Sequence, residues 1–353
     1  MARATRSWRA VAASALSLLA STATAQTWSS CNPTQSTSCP ARTALGMTIS
    51  VDFTQGGVNS FTTSGGTPTY GTDGATFTVA KSGDSPQLNS LFYIMFGRVE
   101  VTMRSAPGQG IVSSVVLQSD DLDEIDFEWL GGSNTQVQTN YFGKGITDNP
   151  TIRGQTSTTA NNQDQWITYV VDWTADRIIW SVGGTAVRTL TYNDAISGQY
   201  PQTPMQLKIG AWAGGDPSNA QGTINWAGGL TDYSKGPFSM HVKSLVVADY
   251  STGKSYSYGD TSGTWQSIKS DGGAVNGRKD TAGSVTVTAS AAAATNSLSP
   301  TVPVGGIAKA SKTSETGAYS SGGTIPSGWV MTPSGKIVPA SSTTVRTCLL
   351  PPS

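Results

Sequence analysis

The stretch that decides the fold is Ser119-Asp120-Asp121-Leu122-Asp123-Glu124-Ile125-Asp126-Phe127-Glu128-Trp129-Leu130-Gly131. Within it Glu124, Asp126 and Glu128 alternate with Ile125, Phe127 and Trp129. Successive side chains of a strand point to opposite faces, so one face carries three carboxylates and the other three large apolar groups. The apolar face anchors the strand in a core and holds the acidic face rigidly. Like charges in a row repel one another. A purely structural strand has little reason to carry that cost, so the acidic face is read as functional.

Short alternating runs recur on both sides of this stretch, bounded by Gly, Asn, Asp and Pro. They include Ala75–Val79, Arg98–Met103, Val137–Phe142, Trp166–Trp173, Ile178–Val182, Met205–Trp212 and Met240–Val247. Each has the length and period of a strand. Ile178–Val182, Gly183-Gly184 and Thr185–Arg188 read as a hairpin with a two-residue turn. Asn193–Ser197 is expected to form a short helical turn, and no amphipathic helix of three turns is expected. So many strands over about 220 residues predict one large all-β sandwich or barrel.

Composition agrees. Charged residues are only 12% of the 353-residue chain, and Gly reaches 40. Lys+Arg and Asp+Glu are each 22, a balance that argues against a nucleic-acid partner.

The spacing of the acids points to a specific chemistry. Glu124 and Glu128 are ~13 Å apart at Cα on a strand. Side chains leaning together bring the carboxyls to about 5–6 Å, close to the ~5–5.5 Å of retaining glycosidases. One Glu would attack the sugar carbon, and the other would protonate the leaving oxygen. Asp126 between them would raise the pKa of the acid by like-charge repulsion. Two other readings compete. A calcium loop could use Asp120, Asp121, Asp123 and Glu124, but it lacks the Asp-x-Asp-x-Asp-Gly pattern. A merely solvated acidic face conflicts with Ile125, Phe127 and Trp129, which imply a packed strand. His241 is the sole His, and no Gly-x-Ser-x-Gly elbow accompanies it, so a Ser-His-Asp triad is not expected. Ala213-Gly214-Gly215-Asp216 lacks the Gly-Lys-Ser/Thr of a phosphate loop.

Glu124-Ile125-Asp126-Phe127-Glu128 resembles the E-x-D-x-E signature of glycoside hydrolase family 16. The stretches DDLDEIDFEWLGG, QVQTNYFGKG, RTLTYNDA, PQTPMQLKIGAWAGGDPSN, INWAGGLTDYSKGPFSM and the early CNPTQSTSCP are similar to its fungal Crh subgroup, over roughly Gln26 to Lys269. The resemblance implies a β-jelly-roll of two antiparallel sheets with a concave cleft. It further implies a cell-wall transglycosylase that cuts chitin and joins it to β-glucan with retention. By position in the motif, Glu124 would be the nucleophile, Asp126 the assisting carboxylate and Glu128 the acid/base. Gln138, Asn140 and Phe142 share a strand face beside the donor sugars, and Trp212 would be a stacking platform. Glu100 and Arg104, on the strand taken to precede the motif, are further candidates. A β-glucan or chitin hydrolase and a non-catalytic polysaccharide-binding protein are the alternatives. Polysaccharides are the expected partners of a monomer, with neither cofactor nor metal.

The chain ends carry their own expectations. Arg3, Arg6 and Arg9, the apolar Val11–Ala20 and Ala23-Thr24-Ala25 read as a secretory signal over 1–25, too short to span a bilayer. Export permits disulfides, and Cys31 and Cys39 are the expected pair, leaving Cys348 unassigned. From about residue 270 to 353, Ser, Thr, Gly and Ala dominate, which reads as a disordered tail after a catalytic domain at 26–269. The closing TVRTCLLPPS has no apolar tail, so a secreted or wall-held protein without a GPI anchor is expected.

Overall fold

A computed structural model describes residues 29–148 and 152–282, with three short strands beyond them at 287–289, 329–331 and 337–339. The chain begins with β1 (Arg42–Thr43), β2 (Thr48–Asp52), β3 (Phe61–Ser64), β4 (Thr69–Gly71), β5 (Gly74–Val79), β6 (Gln87–Ile94) and β7 (Gly97–Arg104). It continues with β8 (Ile111–Ser119), β9 (Glu124–Leu130), β10 (Gln136–Phe142), β11 (Gln155–Thr158), β12 (Ile167–Trp173), β13 (Arg177–Val182) and β14 (Thr185–Thr191). After β15 (Met205–Ala213) comes a six-residue helix, α1 (Gln221–Trp226). The remaining strands are β16 (Phe238–Asp249), β17 (Ser255–Tyr258), β18 (Ile268–Ser270), β19 (Val287–Ala289), β20 (Trp329–Met331) and β21 (Ile337–Pro339).

Two large sheets face each other. One runs β11-β10-β9-β8-β15-β6-β3. The other runs β14-β13-β12-β7-β16-β2-β19, with β5 also on β16 and β4 on β5. The pairings that build them are antiparallel, apart from β19 along β2. This is the expected jelly-roll-like sandwich.

Alternation explains why these segments are strands. β6 and β7 switch between buried and half-buried at every residue, so each gives one face to the core. Register irregularities at Gln206/Lys208 on β15 and Val242/Ser244 on β16 bend the sheets locally. The expected Gly183-Gly184 hairpin joins β13 to β14, with both glycines at positive φ (57° and 86°).

The core lies between the sheets. Ile125, Phe127 and Trp129 of β9 are at most 1% exposed there. Trp129 meets Tyr169 of β12 edge to face, with ring centroids 4.6 Å apart. Trp180 of β13 donates its indole N–H to the backbone carbonyl of Asp126 at 3.1 Å. The second sheet therefore grips β9 by both packing and a hydrogen bond. Burial of each such side chain is worth roughly 1.5–3 kcal/mol, enough to hold an acidic face against its own repulsion.

Two expectations change. Asn193–Ser197 forms turns without a helical segment. The helix lies instead at α1, where its single buried residue, Ile224, carries too little apolar periodicity to stand out. The packed unit also continues past 269: Ala282 is 1% exposed and its carbonyl accepts the Thr48 hydroxyl at 2.7 Å. Composition signals the loss of large apolar residues from 270, but the segment is held by the Arg278 side chain on the Asp249 carbonyl at 3.0 Å, by Val275 against the core and by backbone hydrogen bonds. The expected signal at 1–25, Cys348 and most of the expected tail lie outside the described residues.

Candidate active site

Glu124, Asp126 and Glu128 project from β9 away from the core, yet are only 2%, 2% and 8% exposed. They therefore sit at the floor of a groove. On β10 the registered partners are Phe142, Asn140 and Gln138; on β8 they are Gln118, Val116 and Ser114. Beyond β8, Gln206 of β15 lies opposite Gln118 and Lys208 opposite Val116.

The two glutamates differ in what surrounds them. Gln118 donates its amide to Glu124 Oε2 at 2.5 Å, and Lys208 Nζ donates to Gln118 Oε1 at 2.6 Å. Burial lifts the Glu124 carboxyl to about 7, opposed by hydrogen bonds from Asp126 and Gln118 and by the Lys208 charge. Glu128 is pushed higher, to about 8, by burial and by the charge on Glu124. Asp126 is raised well above the usual carboxylate range by burial, then by its two acidic neighbours. Its Oδ1 has no hydrogen-bond partner among the described residues. Three carboxyls held so close titrate as a set, which favours protonated and ionised members side by side near neutrality. That is what acid and nucleophile chemistry on one substrate requires.

The remaining candidates divide sharply. Gln138, Asn140 and Phe142 lie on the same face as the acids, as expected. Trp212 on β15 is half-buried and stacks against Trp226 of α1, with ring centroids 6.1 Å apart and planes 26° apart. Trp226 also donates to Gln138 Oε1 at 2.9 Å.

Glu100 and Arg104 are not brought to the site. The strand before the motif is β8, whereas they lie on β7 in the opposite sheet. There Glu100 pairs with Arg98 at 2.8 Å. Arg104 pairs with Asp73 at 3.0 Å and covers the Trp166 ring at 4.4 Å. His241 shares that sheet and contacts the Thr76 hydroxyl at 3.1 Å.

The acids that precede β9 are engaged by protein cations. Arg42 pairs with Asp120 at 2.6 Å, and Lys144 with Asp123 at 2.8 Å and Asp121 at 3.1 Å. Among the described residues no cluster of His, Cys, Asp and Glu is arranged to hold a metal ion. No described helix is long and apolar enough to cross a membrane. Cys31 and Cys39 are bonded to each other, with Cα atoms 5.6 Å apart. Gln118, Lys208 and Trp226 escaped the sequence reading. Period-two counting along β8 and β15 would have put Gln118 and Lys208 on candidate faces, but only strand order puts those faces beside β9.

Two Glu and one Asp on one strand face, over the groove of an all-β sandwich, define a glycosidase-type enzyme that works on carbohydrate chains. Residues 55–228 match the family model for glycosyl hydrolases family 16. Crh-like protein 4 of Botryotinia fuckeliana is 55% identical over 349 residues, which are 95% of this chain and 91% of that protein. The solved apo Crh5 transglycosylase is 53% identical, with a TM-score of 0.66 over 68% of this chain and all (100%) of that one. The same enzyme solved in complex with NAG matches equally, at 53% identity, 68% and 100% coverage and a TM-score of 0.66. This chain belongs to glycosyl hydrolase family 16, among the Crh-like proteins.

Proposed function

We propose that the protein is a secreted cell-wall transglycosylase that cleaves chitin and passes the released chain to β-glucan through a covalent glycosyl-enzyme. The observation that carries this reading is the buried Glu124/Asp126/Glu128 face, in a chain that matches the whole solved chain of Crh5 transglycosylase. The complex of that enzyme with NAG supports an N-acetylglucosamine donor.

Glu124 attacks the anomeric carbon as the glycosidic bond breaks, while the Glu128 carboxyl gives its proton to the departing oxygen. The sugar is then esterified to Glu124, and Glu128 is a carboxylate. In the second step Glu128 takes the proton of an incoming glucan hydroxyl, whose oxygen displaces Glu124 from the sugar. Two displacements retain configuration. The charge on Glu124 helps keep the proton on Glu128 in the free enzyme, and Asp126 hydrogen-bonds Glu124. Gln138 and Asn140 offer amides to sugar hydroxyls, and the Trp212–Trp226 pair offers apolar faces to sugar rings.

The leader-like residues 1–25 and the Cys31–Cys39 bond support export. A catalytic domain followed by a Ser/Thr-rich tail, acting as a monomer, completes the reading.

The test is incubation with chitin oligosaccharides and a labelled β-glucan oligosaccharide, read by mass spectrometry. Hybrid products are expected. Hydrolysis fragments alone would replace transfer with plain hydrolysis, and binding without turnover would remove catalysis altogether.

A further inference from the structure

The spacing of Glu124-x-Asp126-x-Glu128 is symmetric about Asp126, so it does not say which Glu should attack and which should donate a proton, although in the folded strand Asp126 hydrogen-bonds Glu124. The neighbouring strands are not symmetric. Gln118 of β8 registers with Glu124, whereas Ser114 registers with Glu128. Gln118 hydrogen-bonds Glu124 at 2.5 Å, and among the described residues no hydrogen bond reaches the side chain of Glu128.

An amide can present either its oxygen or its NH2 to a neighbour. Lys208 removes that freedom. Its ammonium has donors and no acceptor, so the amide oxygen of Gln118 must face it. The contact at 2.6 Å has that orientation, which leaves the NH2 turned toward Glu124 Oε2.

We infer that Gln118 and Lys208 are positioning residues for the nucleophile: Lys208 fixes the amide of Gln118, and that amide makes Glu124 the attacking group and leaves Glu128 the acid. The inference rests on the proposed roles of the two glutamates. Lys208 acts through Gln118 and supplies a positive charge from the strand beyond. The relay spans β15, β8 and β9, and so exists only in the folded sheet.

The groups facing Glu124 can be named. Its own strand brings Asp126 and Glu128. Beside it, β10 brings Phe142 and Asn140, both uncharged. The other flank brings Gln118, the Lys208 charge and, at the end of β8, Asp120, which Arg42 balances at 2.6 Å. Tyr93 reaches the same Asp120 at 3.4 Å. Lys208 is the cation whose charge acts on Glu124. The relay's outer end borders a cavity of about 150 Å3 walled by Arg42, Tyr93, Asp120 and Gln206. A plain sugar contact from Lys208 is therefore the competing account, and it predicts a different kinetic signature.

The experiment measures kcat and KM against pH for transfer from chitin oligosaccharide to labelled glucan, with the full chain carrying Gln118→Met, Lys208→Met, both together, or Lys208→Arg. The nucleophile must be ionised, so loss of its partner moves the acid limb of kcat/KM upward. A shift of one to two pH units, roughly what a hydrogen bond to a charged group is worth, is expected for Gln118→Met. A smaller shift in the same direction is expected for Lys208→Met, with donor KM within about twofold of the parent for both. The double variant should shift by less than the sum, and Lys208→Arg should keep the parent profile. An acid limb that stays put, a raised KM at unchanged kcat, or full additivity would overturn the inference. If Gln118→Met does not fold, Lys208→Met and Lys208→Arg carry the same readout from a half-buried position.

Peptide mapping of the glycosyl-enzyme, quenched in acid before acceptor is added, keeps the two levels apart. Label on Glu124 with unmoved limbs sinks the relay alone, whereas label on Glu128 sinks the assignment beneath it.

Discussion

Lys144→Met should destabilise the domain severely, with a pH dependence that identifies the cause. Lys144 Nζ lies 2.8 Å from each oxygen of Asp123 and 3.1 Å from Asp121 Oδ2. Both Asp side chains are 0% exposed, and the Lys144 side chain is 18% exposed. Removing one partner of a buried charge set costs roughly 3–5 kcal/mol, because the remaining charges stay out of water. For a domain of this size each kcal/mol is worth about 2–4 °C in Tm, so the expected fall is about 6–20 °C. Local contacts limit the damage without replacing the cation. Asp123 keeps the Gln202 N–H at 2.8 Å, and Asp121 keeps the Ser119 hydroxyl at 2.5 Å and the Thr203 hydroxyl at 2.6 Å. Backbone strain is not the variable. Lys144 sits at φ 57°, and Met is no better suited to that region than Lys.

The sign follows from the carboxyls. Burial, then the Asp121 charge, lifts Asp123 to about 6 even with Lys144 opposing them. Without Lys144 it rises further. A carboxyl with a folded pKa above its unfolded one destabilises the protein at high pH, and the penalty fades as pH falls through the folded pKa. Urea unfolding near about pH 8 and about pH 5 should therefore show a large deficit in the first case and a smaller one in the second. A deficit under about 1 kcal/mol near pH 8, or an equal deficit at both, would refute the argument.

Glu128→Gln should cut transfer by roughly 10²–10⁴-fold while raising Tm near neutral pH, since a buried carboxyl lifted to about 8 is itself a liability there. The Tm gain should vanish in acid, where Glu128 is protonated in both states; a gain that persists would point to packing instead. Glu124→Gln should lower the Glu128 pKa by removing the charge that helps raise it. Carboxyl 13C NMR reads this directly, and an unmoved titration would contradict it. Trp226→Ala loses the 6.1 Å stack on Trp212 and the donor to Gln138. Donor KM should rise about two- to tenfold, the scale of one aromatic pair, and an unchanged KM would remove Trp226 from the substrate surface. Glu100→Gln should leave transfer kinetics unaltered, because β7 belongs to the other sheet; a loss at constant stability would tie that sheet to catalysis.

Strand alternation is a local rule, and wherever the rule alone was needed the sequence was legible. The acid face of β9, the Gln138/Asn140/Phe142 face of β10 and the Gly183-Gly184 turn all follow from period two and from turn chemistry. The nearby Cys31 and Cys39 were legible too, because a local pairing involves no folding across the sheets. Glu100 and Arg104 were misplaced because proximity in the chain was taken for adjacency in the sheet. A jelly-roll sends β7 and β8 to different sheets. Trp226 was missed because a six-residue helix has too few turns to display a face.

The sequence by itself determined that three carboxylates stand on one side of a rigid strand, with a core on the other, since backbone geometry requires only neighbours two residues apart. The tertiary structure decided which of two equivalent glutamates has the partner. Gln118 and Lys208 lie 90 residues apart and meet only because β15 pairs with β8. Hydrogen bonds across strands carry no signature in the spacing of residues along any one of them. A symmetric motif became an asymmetric site through register.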